Sequence, residues 1–357
     1  MSDAYAKAGV DVTEADAGVA AIVSVLSSIN TGAPSLSVQL PGHFAAVMRI
    51  GETTGLAICT DGVGSKLIVA EQTGRLDTVG IDCVAMNVND LVCVGAKPIA
   101  LVDYLAVEQS NPDQLRAIAE GLKAGAEQAG IEIPGGELAQ VPELIRGHPS
   151  PNGFDLCATA VGTVELDSII TGNDIAVGDA LIGVPASGLH SNGLTLARSV
   201  LVGEGGDLDD RPDGLGGQSI ADVLLEPTVI YVRAALELIE SDLPINGMFH
   251  ITGGGLLNLL RLGTGVGYTI DEPLTPPAVY EQIATVGGIP AVEMYEVFNM
   301  GCGFAVAVAP EHCDAAVAIL SRHHAGARRI GTVTGDAGVV SVPSLGITGD
   351  ASGLRAA

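Results

Sequence analysis

The feature that most restricts this chain is a set of glycine-rich polar loops set against apolar strands and helices: TDGVGSK (60–66), SGLHSNG (187–193) and ITGGG (251–255). Strand, glycine turn and helix in that order are the grammar of mixed α/β folds, in which helix N-termini open at the ends of strands. Apolar runs at 44–50 and 56–60, joined by GETTG, read as two strands and a turn, and further strands are expected at 98–105, 155–164 and 180–184. The clearest helix opens at Asn111-Pro112, an N-cap followed by proline at the first helical position. It places Leu115, Ile118, Ala119, Leu122 and Ala126 on one face and ends at Gly130. Other helices are expected at 194–201, around 221–240, and in the alternation of strands and helices from Phe304 to Val342. The turn-rich TGNDIAVGD (171–179) divides the chain into an N-terminal domain over 1–170 and a C-terminal α/β domain over 171–345, followed by a glycine-rich tail, 346–357, expected to fray. Two domains also suit 357 residues, since single cores stop growing at ~250 to 300.

Charge narrows the partners. The chain carries 42 acidic residues against 16 basic ones, a formal charge of −26, and its only lysines are Lys7, Lys66, Lys97 and Lys123. Such a field repels nucleic acid phosphates, and no basic patch offsets it. Lysine scarcity with acidic excess reads as a surface adapted to high salt. No apolar run reaches the ~18 residues of a spanning helix, so neither a membrane nor secretion is expected. The six cysteines are far apart in apolar stretches and read as small buried hydrophobes in a reducing cytoplasm rather than disulfides or a metal site.

The chemistry concentrates in the loops. In TDGVGSK, glycines let backbone N–H groups approach a ligand, the helix start favours anions, Asp61 suits a magnesium ion and Lys66 a phosphate. The spacing is not that of a Walker A loop, and alone the segment fits a plain glycine turn as well. DCVAMNVNDLVCVGA (82–96) reads as a buried helix interrupted by Asp82, Asn87, Asn89 and Asp90. Buried polar groups cost roughly 2 to 7 kcal/mol unless paired; Asp82 reads as a helix cap, Asn89 and Asp90 as ligand groups. Glu137, in a loop after two glycines, is a candidate oxygen donor for a hard cation; without those neighbours it reads as a solvated glutamate. Ser191 and Asn192 are candidate phosphate donors, and His190 is the most prominent titratable group. Thr252, Gly253 and Gly254 make a third anion-binding candidate, with a glycine turn as the alternative. FNMGCG (298–303) fits backbone packing as well as binding. No GxSxG elbow, HExxH helix or paired-cysteine site is present in the sequence, so covalent and zinc chemistry recede.

In order along the chain, YAKAGVD (5–11), PGHFAA (41–46), TDGVGSK, VAMNVNDL (84–91), GAKPIALVDY (95–104), GGE (135–137), SGLHSNGLTLAR (187–198), LLEPTVIYV (224–232), ITGGG and EMYEVFNMGCGF (293–304) resemble the phosphoribosylformylglycinamidine cyclo-ligase family. SGLHSNG with LLEPT and FNMGCG is specific to that family within its superfamily; TDGVGSK discriminates less. The resemblance implies an ATP-dependent closure of formylglycinamidine ribonucleotide to aminoimidazole ribonucleotide, ADP and phosphate, in a cytoplasmic homodimer. ATP and Mg2+ are the expected cofactors, with K+ as an optional further cation. The implied fold has two α/β domains, the N-terminal sheets of two subunits joining across the dimer. By motif position, Asp61, Asp90 and Glu137 fall on the metal and nucleotide side with Gly62, Gly64 and Asn89. Lys66 would contact phosphate. His190, Ser191, Asn192 and Gly193, with Thr252, Gly253 and Gly254, would lie at the ribonucleotide phosphate and the reacting centre.

One stretch departs from the family pattern: GGETAEMPG is here GGELAQVPE, with Leu138, Gln140, Val141 and Glu143 at the changed positions, and the second glutamate is lost. The rival readings are selenophosphate synthetase, thiamine monophosphate kinase, the hydrogenase maturation dehydratase, or a non-catalytic nucleotide-binding subunit. The first usually carries a reactive residue near its N-terminus, and no cysteine precedes Cys59; the next two lack SGLHSNG followed by LLEPT.

Overall fold

The computed structural model describes Gly9, residues 12–203 and residues 205–357; apart from Gly9, the YAKAGVD segment lies outside the described residues. The first sheet contains β1 (Ser37–Val38), β2 (Ala46–Arg49), β3 (Thr54–Gly62), β4 (Lys97–Val107), β5 (Glu132–Gln140) and β6 (Phe154–Glu165), in the order β1-β2-β3-β6-β4-β5. Only the β4–β5 pair is parallel. Helices α1 (Val12–Leu26), α2 (Lys66–Thr73), α3 (Val79–Cys93) and α4 (Pro112–Ala129) accompany it. The alternation of β3 puts Ala57, Cys59 and Asp61 on one face and Leu56, Ile58 and Thr60 on the other. The first face is covered by α3, whose Cys83, Val84, Val88, Leu91 and Val92 are fully buried. Helix α4 packs on α3 and is capped as its sequence dictates: Asn111 accepts from the amides of Asp113 and Gln114, and Gly130 closes the helix in the left-handed region.

The second sheet contains β7 (Ala180–Pro185), β8 (Gly247–His250), β9 (Gly267–Thr269), β10 (Cys302–Val308), β11 (Arg328–Thr334), β12 (Val340–Val342), β13 (Ile347–Asp350) and β14 (Gly353–Ala356). Its order is β14-β13-β12-β9-β11-β7-β10-β8. It is accompanied by α5 (Leu194–Leu201), α6 (Ile220–Leu224), α7 (Val232–Glu240), α8 (Ala278–Gly287), α9 (Ala291–Val297) and α10 (Cys313–His323). Strand β10 is buried along its whole length, as an uninterrupted apolar run in a strand covered on both faces should be.

Two expectations need correction. The segment 346–357, read as a fraying tail, folds into the β13–β14 hairpin; Ile347 and Leu354 are buried, and cross-strand pairing outweighs the low strand propensity of its glycines. The single helix expected over 221–240 is broken into α6 and α7. Pro227 disfavours helical backbone at Glu226 and cannot donate a helical hydrogen bond, so residues 225–231 form a strap between the helices.

With 42 acidic against 16 basic residues, the cations are too few to pair one to one with most carboxylates. Raising KCl from ~0.1 to ~2 M shortens the Debye length from ~10 Å to under ~3 Å and should raise the thermal midpoint. A midpoint that is flat or falls across that series would show the acidity is not a salt adaptation.

Candidate active site

Three loops meet where the sheets approach each other. The end of β3 delivers Asp61 and the turn to α2; the end of β7 delivers SGLHSNG and opens α5; the end of β8 delivers Thr252–Gly254. Ser65 Oγ lies 2.8 Å from Thr195 Oγ1, joining the first loop to the start of α5. The Ser191 carbonyl lies 4.0 Å from where a Cβ on Gly64 would stand, and Asn192 Oδ1 3.2 Å from where one on Gly253 would stand. Asn258, buried in the 3₁₀ turn after β8, pins the third loop by donating to the carbonyls of Gly253 (3.1 Å) and Gly255 (2.9 Å). Gly193 begins α5 at φ 70°, and a side chain there would run into the Phe298 ring.

Behind the loops sits a carboxylate pair. Asp61 is raised above the usual carboxylate range, chiefly by burial and further by the charge of Asp90, against the opposing hydrogen bond from the Gly62 amide. Asp90 Oδ1 lies 2.8 Å from His250 Nδ1, and Asp90 Oδ2 accepts from the Cys59 thiol at 3.5 Å. Asn89 Nδ2 lies 3.4 Å from His250 Nε2, so the imidazole spans Asn89 and Asp90. Asn87, wholly buried, donates to the Asp61 carbonyl at 3.1 Å, while its own Oδ1 meets no protein donor. Burial pushes the Cys59 thiol far up, removing it as a nucleophile.

The other sequence candidates lie elsewhere or do something else. Glu137 is not in a loop: it stands on β5, exposed at the sheet edge, opposite Tyr104 on β4. Register places it in the row Gly62–Cys157–Tyr104–Glu137, whereas Asp61 lies in the adjacent row with Ala158, Asp103 and Gly136, on the opposite face. Among the described residues no three carboxylate, imidazole or thiol groups converge as a metal cage, so Asp61, Asp90 and Glu137 do not meet within one chain. Gln140, at the position of the family's second glutamate, accepts from the Ser110 amide at 3.2 Å.

Lys66 is not free to contact a phosphate. Its ammonium is wholly buried and gives all three protons to protein: Asp82 Oδ1 (2.9 Å), the Glu226 carbonyl (2.6 Å) and the His190 carbonyl (3.3 Å). Asp82 is therefore not the helix cap that its sequence suggests; it pairs with Lys66 and accepts from both the amide and the hydroxyl of Thr228. Asn89 is likewise spent on structure: it accepts from the Tyr231 amide (2.8 Å) and donates to the Val229 carbonyl (2.9 Å). His190 is enclosed, and its pKa is well below the usual imidazole range because burial excludes the charged form, with His250 and Lys66 adding repulsion. The ring is neutral. Its Nε2 faces the amides of Ser187 (3.4 Å) and Val229 (3.5 Å), which makes it an acceptor in the loop rather than a proton carrier. The sequence reading missed His250, Thr195, Thr228 and Arg261, which donates to the Gly42 and His43 carbonyls. His250 directly precedes ITGGG, a position that could have signalled it.

Burial of neutral histidines predicts acid lability. His43 and His324 are each held at about 4 and His190 is also lowered, all three chiefly by burial, against a usual value of 6.5. The unfolded chain takes up protons below about 6.5 while the native one refuses them, so stability is present above that pH and is lost as pH falls toward 4. The thermal midpoint should decline through this window before the native carboxylates titrate; a flat midpoint from pH 7 to 5 would contradict it.

Two α/β sheets with glycine loops closing over a half-buried carboxylate pair fit the class of AIR synthase related proteins, whose N-terminal domain model matches residues 42–164 and C-terminal domain model residues 176–342. Relatives named phosphoribosylformylglycinamidine cyclo-ligase include that of Methanothermobacter thermautotrophicus, 47% identical over 92% of this chain and 94% of its own. That of Thermococcus kodakarensis is 47% identical over 94% and 96%. The chain belongs to the phosphoribosylformylglycinamidine cyclo-ligase family. Solved structures share its fold at low identity. One is described as AaThiL complexed with AMPPCP and TMP (TM-score 0.63, 17% identity, 91% of this chain and 92% of that one). Another is the hydrogenase maturation protein HypE in complex with ATP (TM-score 0.60, 22% identity, 86% of each).

Proposed function

We propose that this chain closes the imidazole ring of formylglycinamidine ribonucleotide at the expense of ATP, giving aminoimidazole ribonucleotide, ADP and phosphate in purine biosynthesis. The observation that carries this reading is the convergence of three glycine loops beside Asp61 and Asp90 with no activated nucleophile among them. ATP passes its γ-phosphoryl group to the formyl oxygen and leaves as ADP. An amidine nitrogen then attacks the former formyl carbon, phosphate departs with that oxygen, and loss of a proton completes the aromatic ring. Such a reaction asks for alignment and charge stabilisation.

Asp61 and Asp90 are the groups that suit a hard cation, being half-buried carboxylates. Mg2+ held there, with K+ as an optional companion, would neutralise polyphosphate charge. Gly62 and Gly64 leave backbone open to the nucleotide, and Ser191, Asn192 and Gly193 with Thr252, Gly253 and Gly254 cradle the ribonucleotide phosphate. The cytoplasm is the proposed compartment. A homodimer is part of the same reading: Met48, Val102 and Tyr104 leave an apolar outer face on the first sheet 38 to 46% exposed. A second copy joined there would also cover Glu137, which shares that outer face. Incubation with ATP, Mg2+ and formylglycinamidine ribonucleotide should yield aminoimidazole ribonucleotide; ATP hydrolysis without ring closure would refute the assignment.

A further inference from the structure

We infer that the buried Lys66–Asp82 pair is a positioning device for ring closure, holding SGLHSNG and the 225–231 strap in working geometry across the two domains. The inference rests on the reading of SGLHSNG as the substrate loop and adds residues that do not touch the substrate.

Lys66 opens α2 and Asp82 lies in the first turn of α3, both beside the first sheet; everything else they bind comes from the second half of the chain. The ammonium bridges the carbonyls of His190 and Glu226, and the carboxylate takes the Thr228 amide (2.8 Å) and hydroxyl (2.6 Å). Two turns further along the same face of α3, Asn89 fixes Val229 and Tyr231. The strap is thus fastened at residues 226, 228, 229 and 231 to one buried row of N-terminal side chains.

The His190 carbonyl is the telling contact. His190 sits at φ 60°, in the left-handed region that a non-glycine residue occupies only when its surroundings force it. Three ties supply that force: Lys66 on its carbonyl, and the amides of Ser187 and Val229 on its ring. The next residues are Ser191, Asn192 and Gly193, so the backbone turn at His190 sets where their donors point. A hydrophobic pair of equal volume would fill the same space, and replacing a buried ion pair in that way often costs no stability. Such a pair could not hold the His190 carbonyl of the loop and the Glu226 carbonyl of the strap together. Positional control of the loop is what the charged pair adds.

The test compares Lys66→Met with Lys66→Met/Asp82→Asn. The single variant leaves a buried carboxylate without its cation and should melt earlier. The double variant removes that charge, and its amide oxygen still accepts from Thr228, so the melting midpoint should return toward the parent. Its kcat/KM for formylglycinamidine ribonucleotide should stay about 100-fold low, the scale of a 1 Å misplacement, while KM for ATP is unchanged. Amide exchange over residues 187–193 should quicken. Full recovery of kcat/KM in the double variant would overturn the proposal by making the pair a matter of charge balance alone. Slow exchange at 187–193 with low turnover would overturn the role of the pair in holding the loop. Fast exchange with parental turnover would overturn the assignment of the loop to the substrate, and the proposal with it.

Discussion

Replacing Asp61 by asparagine should lower turnover at limiting Mg2+ by more than the ~10- to 100-fold that loss of an outer-sphere metal partner costs, and should raise the Mg2+ concentration needed for half-maximal rate. Asparagine keeps the shape and the oxygen that accepts from the Gly62 amide, so the turn at the end of β3 is preserved. What disappears is a half-buried negative charge facing that of Asp90. In the metal-free protein this removes a repulsion, so the thermal midpoint should hold or rise while activity collapses, as expected of a group kept for function at the expense of stability. Parental activity at limiting Mg2+ would sink the assignment, and a large fall in the midpoint would recast Asp61 as structural.

Gly303→Ala should damage both stability and turnover. A Cβ at Gly303 would stand 2.1 Å from the Tyr231 hydroxyl and 2.5 Å from His190 Cε1. Neither neighbour has room: Tyr231 donates to the Pro185 carbonyl at 2.9 Å and stacks on Phe304, and the His190 ring is enclosed. Overpacking of this kind costs typically ~1 to 3 kcal/mol, and here the strain falls on the loop that presents Ser191 and Asn192. Denaturant unfolding should show a lower midpoint, and kcat/KM should fall more steeply than stability alone explains. A variant that matches the parent in both would mean the FNMGCG backbone can retreat from the ring. The same glycine answers the question its sequence left open, because its contacts favour close packing beneath the loop.

Much of the fold was legible because the signals are local. Asn111-Pro112 and Gly130 bound α4, since cap and stop residues act on their own helix end. The runs at 56–60, 98–105, 155–164 and 180–184 fall on β3, β4, β6 and β7 because apolar alternation or an apolar run is a property of a single strand. The loops TDGVGSK, SGLHSNG and ITGGG were recognisable as anion-binding candidates from composition, and the family was recognisable from their order. Where the reading failed, the deciding partner was distant in sequence. The 346–357 hairpin depends on pairing between β12 and β13, which glycine content does not report.

What the sequence determined by itself was therefore the set of elements, the loops that could carry phosphate chemistry, the family and the acidic surface. Each follows from short-range pattern or from a sum over residues. Only the tertiary structure decided what the charged and polar residues in those loops are for. Lys66 looked like a phosphate ligand until Asp82, His190 and Glu226, 16, 124 and 160 positions away, took its three protons. His190 looked titratable until burial made it neutral, and Glu137 looked like a partner of Asp61 until register put it on the opposite face of the sheet. The physical reason is the same in each case. A side chain's charge state and availability are set by desolvation and by partners brought from afar, and a linear pattern records neither.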